Sequence, residues 1–237
     1  MSKIRAFIFD LDGVITDSAE YHYHAWKNLA SELGINIDRE FNEKLKGISR
    51  MDSLERILVH GNQQDRYSEK EKEQLAAKKN DEYVTLIEQI SEKDILPGIA
   101  TLIDELKLHG YQLAIASASK NAPAILSYLG IKEKFDAIVD PSTIAKGKPD
   151  PAIFLEAAKL LKVEPAACVG IEDAEAGIES INKAGMFSVG VGSEEAMKEA
   201  HYYVTSTAEL SLEQILKEVE KAALCQIGLM SQNEVER

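Results

Sequence analysis

Apolar residues occur along this chain in two rhythms. Short, nearly continuous runs at residues 4–9, 111–117, 137–139, 166–171, 187–191 and 202–204 read as strands buried on both faces. Between the later runs the spacing changes to that of helices. Ala122, Ile125, Leu126 and Leu129 share one face, Ile153, Phe154, Ala157, Leu160 and Leu161 a second, and Ala174, Ile178 and Ile181 a third. Strands that alternate with helices predict an α/β core built on a parallel sheet covered from both sides.

The first strand lacks its expected crossover partner. Residues 17–92 read as helices alone, with His22, Trp26, Leu29, Ala30 and Leu33 on one face and Asp17 or Ser18 as N-cap. Leu75, Tyr83, Leu86, Ile87 and Ile90 form another stripe on a long charged helix, and Pro97-Gly98 marks the return to α/β alternation. The expected architecture is a Rossmann-like, doubly wound parallel sheet (residues 1–16 and 93–223) with an inserted all-helical cap domain (17–92). Residues 224–237 read as a C-terminal tail. An insertion at the carboxyl end of the first strand sits where open α/β sheets bind ligands, so it can serve as a lid.

Composition narrows the class. The 237 residues are 45% hydrophobic and 28% charged, ordinary for a soluble globular protein, and long enough to bury a sizeable core. A net charge of −13 argues against a general nucleic-acid or anionic-membrane surface while leaving room for a small basic pocket. No run approaches a membrane span. Cys168 and Cys225 have no metal-ligand spacing, and Cys168 reads as a buried thiol. A reduced, cytoplasmic enzyme is expected.

The candidate chemistry gathers at strand ends. Asp10-Leu11-Asp12-Gly13 follows the first strand, and two carboxylates at that spacing can face one pocket. Their repulsion calls for a cation, and Mg²⁺ suits oxygen ligands. One carboxylate can then act as nucleophile and the other as acid/base. Ser117-Ala118-Ser119-Lys120-Asn121 follows the second strand with a hydroxyl and amides suited to phosphate oxygens. Lys148 precedes a helix and can offset phosphate charge, and Glu172-Asp173 can complete an Mg²⁺ shell. Each piece alone reads as a turn, a surface lysine or a helix cap. Four at successive strand ends favour phosphoryl transfer.

These motifs resemble the haloacid dehalogenase superfamily over nearly the whole chain up to the tail. That resemblance implies Asp10 as the phosphorylated nucleophile and Asp12 as general acid/base. Asp10, the Asp12 carbonyl and Asp173 would hold Mg²⁺, with Glu172 assisting through water. Ser117, Ala118 and Lys148 would bind the transferring phosphoryl group. The inserted segments Thr16-Asp17-Ser18-Ala19-Glu20-Tyr21-His22, Leu45-Lys46-Gly47-Ile48-Ser49-Arg50 and Lys78-Lys79-Asn80-Asp81 further resemble the β-phosphoglucomutase family. By that likeness Arg50, with Ser119, Lys120 and Asn121, would bind the non-transferring phosphate. Lys46, Gly47 and Ser53 would contact sugar, and His22 with Lys79 would position Asp12. His22 could equally be a core histidine beside Trp26, and Lys79 part of a solvated face.

The implied activity interconverts β-D-glucose 1-phosphate and D-glucose 6-phosphate through phospho-Asp10, with β-glucose 1,6-bisphosphate as intermediate and activator. The alternative is a sugar-phosphate phosphatase of the same superfamily. The expected partner is a phosphorylated hexose, with no nucleic acid and no membrane, and the chain is expected to be a monomer.

Overall fold

The computed structural model describes residues 3–45 and 48–226. Its elements run β1 (Ala6–Phe9), α1 (Ala19–Glu32), α2 (Arg39–Glu43), α3 (Arg50–His60), α4 (Glu69–Ile87), α5 (Ile99–Leu108), β2 (Gln112–Ile115) and α6 (Ala122–Tyr128). They continue with β3 (Ala137–Ile138), α7 (Ala152–Leu161), β4 (Cys168–Glu172), α8 (Glu175–Lys183), β5 (Phe187–Val191), α9 (Glu194–Met197), β6 (Tyr202–Val204) and α10 (Leu212–Gln226). The described strands form one parallel sheet in the order β3-β2-β1-β4-β5-β6. β1 lies at its centre, so both neighbours of Asp10 come from segments far along the chain.

Alternation along β1 divides the core. Phe7 and Phe9 face the layer of α5, α6 and α10, with Ile103, Ile125 and Ile215; Ala6 and Ile8 face α7 and α8, with Phe154 and Ile178. This is the doubly wound α/β arrangement expected of the apolar runs. The strands are shorter than those runs at their ends. Pro165–Ala167 forms a 3₁₀ turn, so β4 starts at Cys168 and not at residue 166. Leu160, expected inward, is 47% exposed. At 100° per residue it lies roughly 90° from the centre of the α7 stripe of Ile153, Phe154, Ala157, Ala158 and Leu161.

The helices α1–α4 leave and re-enter the sheet domain through two adjacent chain segments. Thr16 Oγ1 donates to the Asp94 carbonyl at 2.7 Å, Leu96 N–H donates to the Ile15 carbonyl at 2.9 Å, and Thr16 bridges Ile95 in antiparallel fashion. The helices carry their own core of Trp26, Leu29, Ile37, Leu54, Ile57, Leu58 and Ala76. The α4 stripe is divided. Its early residues join that core, whereas Tyr83 and Ile87 pack into the sheet's larger core, joined by Ile90 beyond the helix end. At the other end of the chain, residues 224–226 continue α10, so the first part of the expected tail is helical.

Candidate active site

The centre of the site is an ion cluster at the carboxyl ends of β1 and β4. Lys148 Nζ lies 2.5 Å from Asp10 Oδ1 and 2.7 Å from Glu172 Oε2, and all three side chains are buried. Burial opposes the lysine's charge, but the carboxylates of Asp10 and Glu172 outweigh it and push its pKa above the ordinary value. The loop that carries Lys148 is held by Ser180 Oγ, which donates to the Asp150 carbonyl at 2.7 Å. Asp150 Oδ1 in turn accepts the Ala152 N–H at the start of α7. A lysine 138 positions from Asp10 thus arrives with its backbone fastened.

Two glycines make room for the acids. Gly13 has φ +77°, and a Cβ there would meet Asp173 Oδ2 at 2.0 Å. A Cβ on Gly177 would meet Glu172 Cδ at 2.0 Å. Asp10, Glu172 and Asp173 each offer a carboxylate oxygen, all within 4.8 Å of one another. The three carboxylates lie close together with little exposure to solvent. Glu172 responds by being pushed up to about 8, through burial first and the charge of Asp10 second. Three hard oxygen donors at that spacing fit Mg²⁺.

Asp12 faces away from this cluster. Its carboxylate accepts the Ser18 hydroxyl, and its Oδ2 lies 3.7 Å from His22 Nε2. Ser18 occupies the N-cap position of α1, but its hydroxyl goes to Asp12, and Asp17, the other expected cap, accepts the Ala19 N–H through Oδ1. Burial, then the charge of Asp10, push Asp12 up to about 8, against the pull of Lys79 and Lys148. A carboxyl that titrates near neutrality can take a proton from an attacking hydroxyl and give one to a leaving oxygen.

Behind Asp12 stands a relay from the helical insertion. Lys79 Nζ lies 2.7 Å from His22 Nδ1 and sits over the rings of Trp26 and Tyr83 at 4.7 and 4.6 Å. The His22 ring stacks on Tyr83 at 4.0 Å. Burial lowers His22 well below its ordinary value, helped by Lys79 and Arg50. Burial and then Arg50 bring Lys79 down to about 7. A neutral imidazole that accepts from Lys79 at Nδ1 carries its proton on Nε2, toward Asp12. Lys79 is thus bonded to His22, whose Nε2 stands 3.7 Å from Asp12, and neither side chain is merely packed or solvated.

A cavity of about 260 Å³ lies between sheet and insertion. Asp10, Asp12, Ser117, Ala118, Ser119 and Asp173 line it from the sheet side, and His22, Asn42, Leu45, Arg50, Ser53 and Lys79 from the helices. The volume is near the lower end of small-molecule sites, roughly 300 Å³ and up, which suits a metabolite. Ser117 Oγ accepts the Ser119 N–H at 3.1 Å, shaping the turn after β2. Ser53 donates to the Ser49 carbonyl. Asn121 lies beside the cavity wall, bonded to Asn80. Lys120 is exposed, near Asp140 and outside the lining. Lys46 and Gly47, the expected sugar contacts, lie outside the described residues. Asn80 and Asn42 were given no role by the sequence. Position 80 follows Lys79 on α4, which was the available signal.

Comparison with known proteins agrees with this geometry. Residues 4–185 match the model of the haloacid dehalogenase-like hydrolases. The chain is 52% identical to the β-phosphoglucomutase of Bacillus subtilis (strain 168) over 92% of its own length and 96% of that protein. It is 31% identical to a fructose-1-phosphate phosphatase of Escherichia coli (strain K12), over 80% and 97% of the two chains. The crystal structure of β-phosphoglucomutase from Clostridium difficile superposes with a TM-score of 0.92 at 52% identity, covering 93% of this chain and 99% of that one.

Proposed function

We propose that this chain, which belongs to the haloacid dehalogenase-like hydrolases and within them to the β-phosphoglucomutase family, is a phosphomutase acting on β-D-glucose 1-phosphate and D-glucose 6-phosphate. The observation that carries the reading is a single cavity with groups suited to phosphate on two sides. Asp10, Ser117 and the cation-binding acids line one side, and the Arg50 guanidinium reaches it from the other. A phosphatase needs one such place; an enzyme that turns a bisphosphate end for end needs two.

Phospho-Asp10 gives its phosphoryl group to the C6 hydroxyl of β-glucose 1-phosphate, and the Asp12 carboxylate takes the hydroxyl proton. The β-glucose 1,6-bisphosphate so formed is both intermediate and activator. After it reorients, its C1 phosphoryl group passes to Asp10, and Asp12 returns the proton to the C1 oxygen as glucose 6-phosphate leaves. Lys148, paired to Asp10, offsets charge during each in-line transfer. Asp10, Asp173 and the Asp12 carbonyl, with Glu172 assisting through water, would hold Mg²⁺, which would supply further charge compensation. His22 and Lys79 orient Asp12, Ser117, Ala118 and Ser119 hold phosphate oxygens, and the helical cap over residues 17–92 excludes water. The chain works in the cytoplasm, a reading supported by two free thiols, Cys168 and Cys225, and as a monomer whose cap can move freely.

The test is incubation with Mg²⁺, β-glucose 1-phosphate and a trace of the 1,6-bisphosphate, following glucose 6-phosphate and free phosphate together. Rapid glucose 6-phosphate formation with little phosphate release is expected. Phosphate release without isomerisation would move the chain to the sugar-phosphate phosphatases.

A further inference from the structure

One side-chain oxygen joins the helical insertion to the sheet domain beside the cavity. Asn80 Oδ1, on α4, accepts from Arg50 Nη2 at 2.7 Å and from Asn121 Nδ2 at 2.9 Å. Arg50 opens α3 in the insertion, and Asn121 stands at the start of α6 in the sheet domain. All three side chains are half-buried. One group from the insertion and one from the sheet domain therefore share one acceptor, which belongs to neither of their own helices.

We propose that Asn80 is a positioning residue for the second phosphate place: it aims the Arg50 guanidinium and, through Asn121, ties that aim to the seating of the cap on the sheet domain. The inference rests on the mutase reading and deepens it. An amide oxygen is suited to the task because it is neutral. Hydrogen bonds between neutral and charged groups are weaker than those between two ions, so a phosphate dianion can claim the remaining guanidinium donors without breaking an ion pair. A guanidinium has five N–H donors in a fixed fork, which lets it hold Asn80 and phosphate together. Binding of the non-transferring phosphate then steadies Arg50, Asn80 and Asn121 as one unit, which holds the cap shut while Asp10 reacts.

An imperfectly seated cap admits water to phospho-Asp10. Water attacks phosphorus, a new P–O bond forms as the bond to Asp10 Oδ breaks, Asp12 takes one water proton, and inorganic phosphate leaves. The partition between free phosphate and glucose 6-phosphate therefore reports the seating.

The experiment compares Asn80→Ala and Asn80→Asp with the parent enzyme for kcat, KM and that partition, using β-glucose 1-phosphate. Asn80→Ala should raise KM about tenfold, which is ~1.4 kcal/mol, with a smaller change in kcat and a severalfold greater share of free phosphate. Asn80→Asp keeps an oxygen of the same reach, so its partition should return toward the parent's, while its charge competes with phosphate and keeps KM raised. An Asn80→Ala enzyme with unchanged KM and partition would overturn the proposal. So would a partition in Asn80→Asp as poor as in Asn80→Ala, since that indicates a packing role. Should the parent enzyme release phosphate without making glucose 6-phosphate, the mutase reading fails by itself, and the KM of the two variants for the hexose phosphate still decides the role of Asn80.

Discussion

Lys79 and His22 meet at 2.7 Å between Nζ and Nδ1, although 57 residues separate them and neither is an ordinary partner for the other. The contact is sustained by an aromatic surround of Trp26 and Tyr83 and by burial that brings Lys79 down to about 7. It places the proton of the imidazole opposite Asp12.

A buried lysine of this kind costs stability in a definite pH window. Below about pH 7 Lys79 is charged in both folded and unfolded chains and the burial penalty is complete. Between about 7 and 10.5 the unfolded chain binds the proton and the folded one does not, so stability rises with pH, by up to ~1.4 kcal/mol per unit. Urea unfolding of Lys79→Met and the parent at several pH values checks this. The variant should lose its relative advantage as pH rises, and a constant difference would refute the assignment.

His201 predicts an effect of the same sense on the acid side. Its Nδ1 accepts the Ser188 N–H at 3.1 Å and burial lowers its pKa below 6.5. The neutral form is favoured on folding, so its contribution is intact above pH 6.5 and is lost as pH falls below it. Thermal midpoints of His201→Gln should fall less steeply with acid than those of the parent.

Gly177→Ala tests the room made for Glu172. The added methyl overlaps the Glu172 carboxylate, so about 1–3 kcal/mol of stability should be lost. Mg²⁺ affinity, read by titration of the phosphate-free enzyme, should fall as well. Unaltered Mg²⁺ binding would separate Glu172 from the cation site.

Arg50→Lys keeps charge and removes the planar fork. We expect a folded enzyme with mutase turnover reduced about 10- to 100-fold, the cost of a lost charged hydrogen bond. Turnover near that of the parent would remove Arg50 from the second phosphate place.

Asp12→Asn removes the acid/base while the Asp10–Lys148–Glu172 cluster stays intact. Glucose 6-phosphate formation should drop by about 10²–10⁴. Circular dichroism should show the fold retained.

Much of the α/β core was readable in the chain because buried parallel strands are nearly continuous apolar runs, and the helices between them keep one apolar stripe. Asp10, Asp12, Ser117, Lys148, Glu172 and Asp173 were readable for a related reason: polar residues that end such runs fall on one edge of the sheet. Leu160 and the strand ends were misjudged where a stripe or run outlasts the surface it packs against. Ser18 holds the expected N-cap position, but the use of its hydroxyl on Asp12 was not readable, because a hydroxyl at a helix start has a local use as a cap.

The order of apolar and polar residues thus determined the sheet, its helical layers, the interruption after β1 and the acids at the strand ends, since these follow from periodicities within one segment. Tertiary structure alone decided that Lys148 would pair with both Asp10 and Glu172, that Lys79 would meet His22, and that Asn80 would be shared by Arg50 and Asn121. Those contacts join segments 24 to 138 residues apart. Which partner a buried charge or amide finds over such separations depends on how layers and insertion pack, because burial sets the cost of leaving it unpaired and only the packed chain sets who is near.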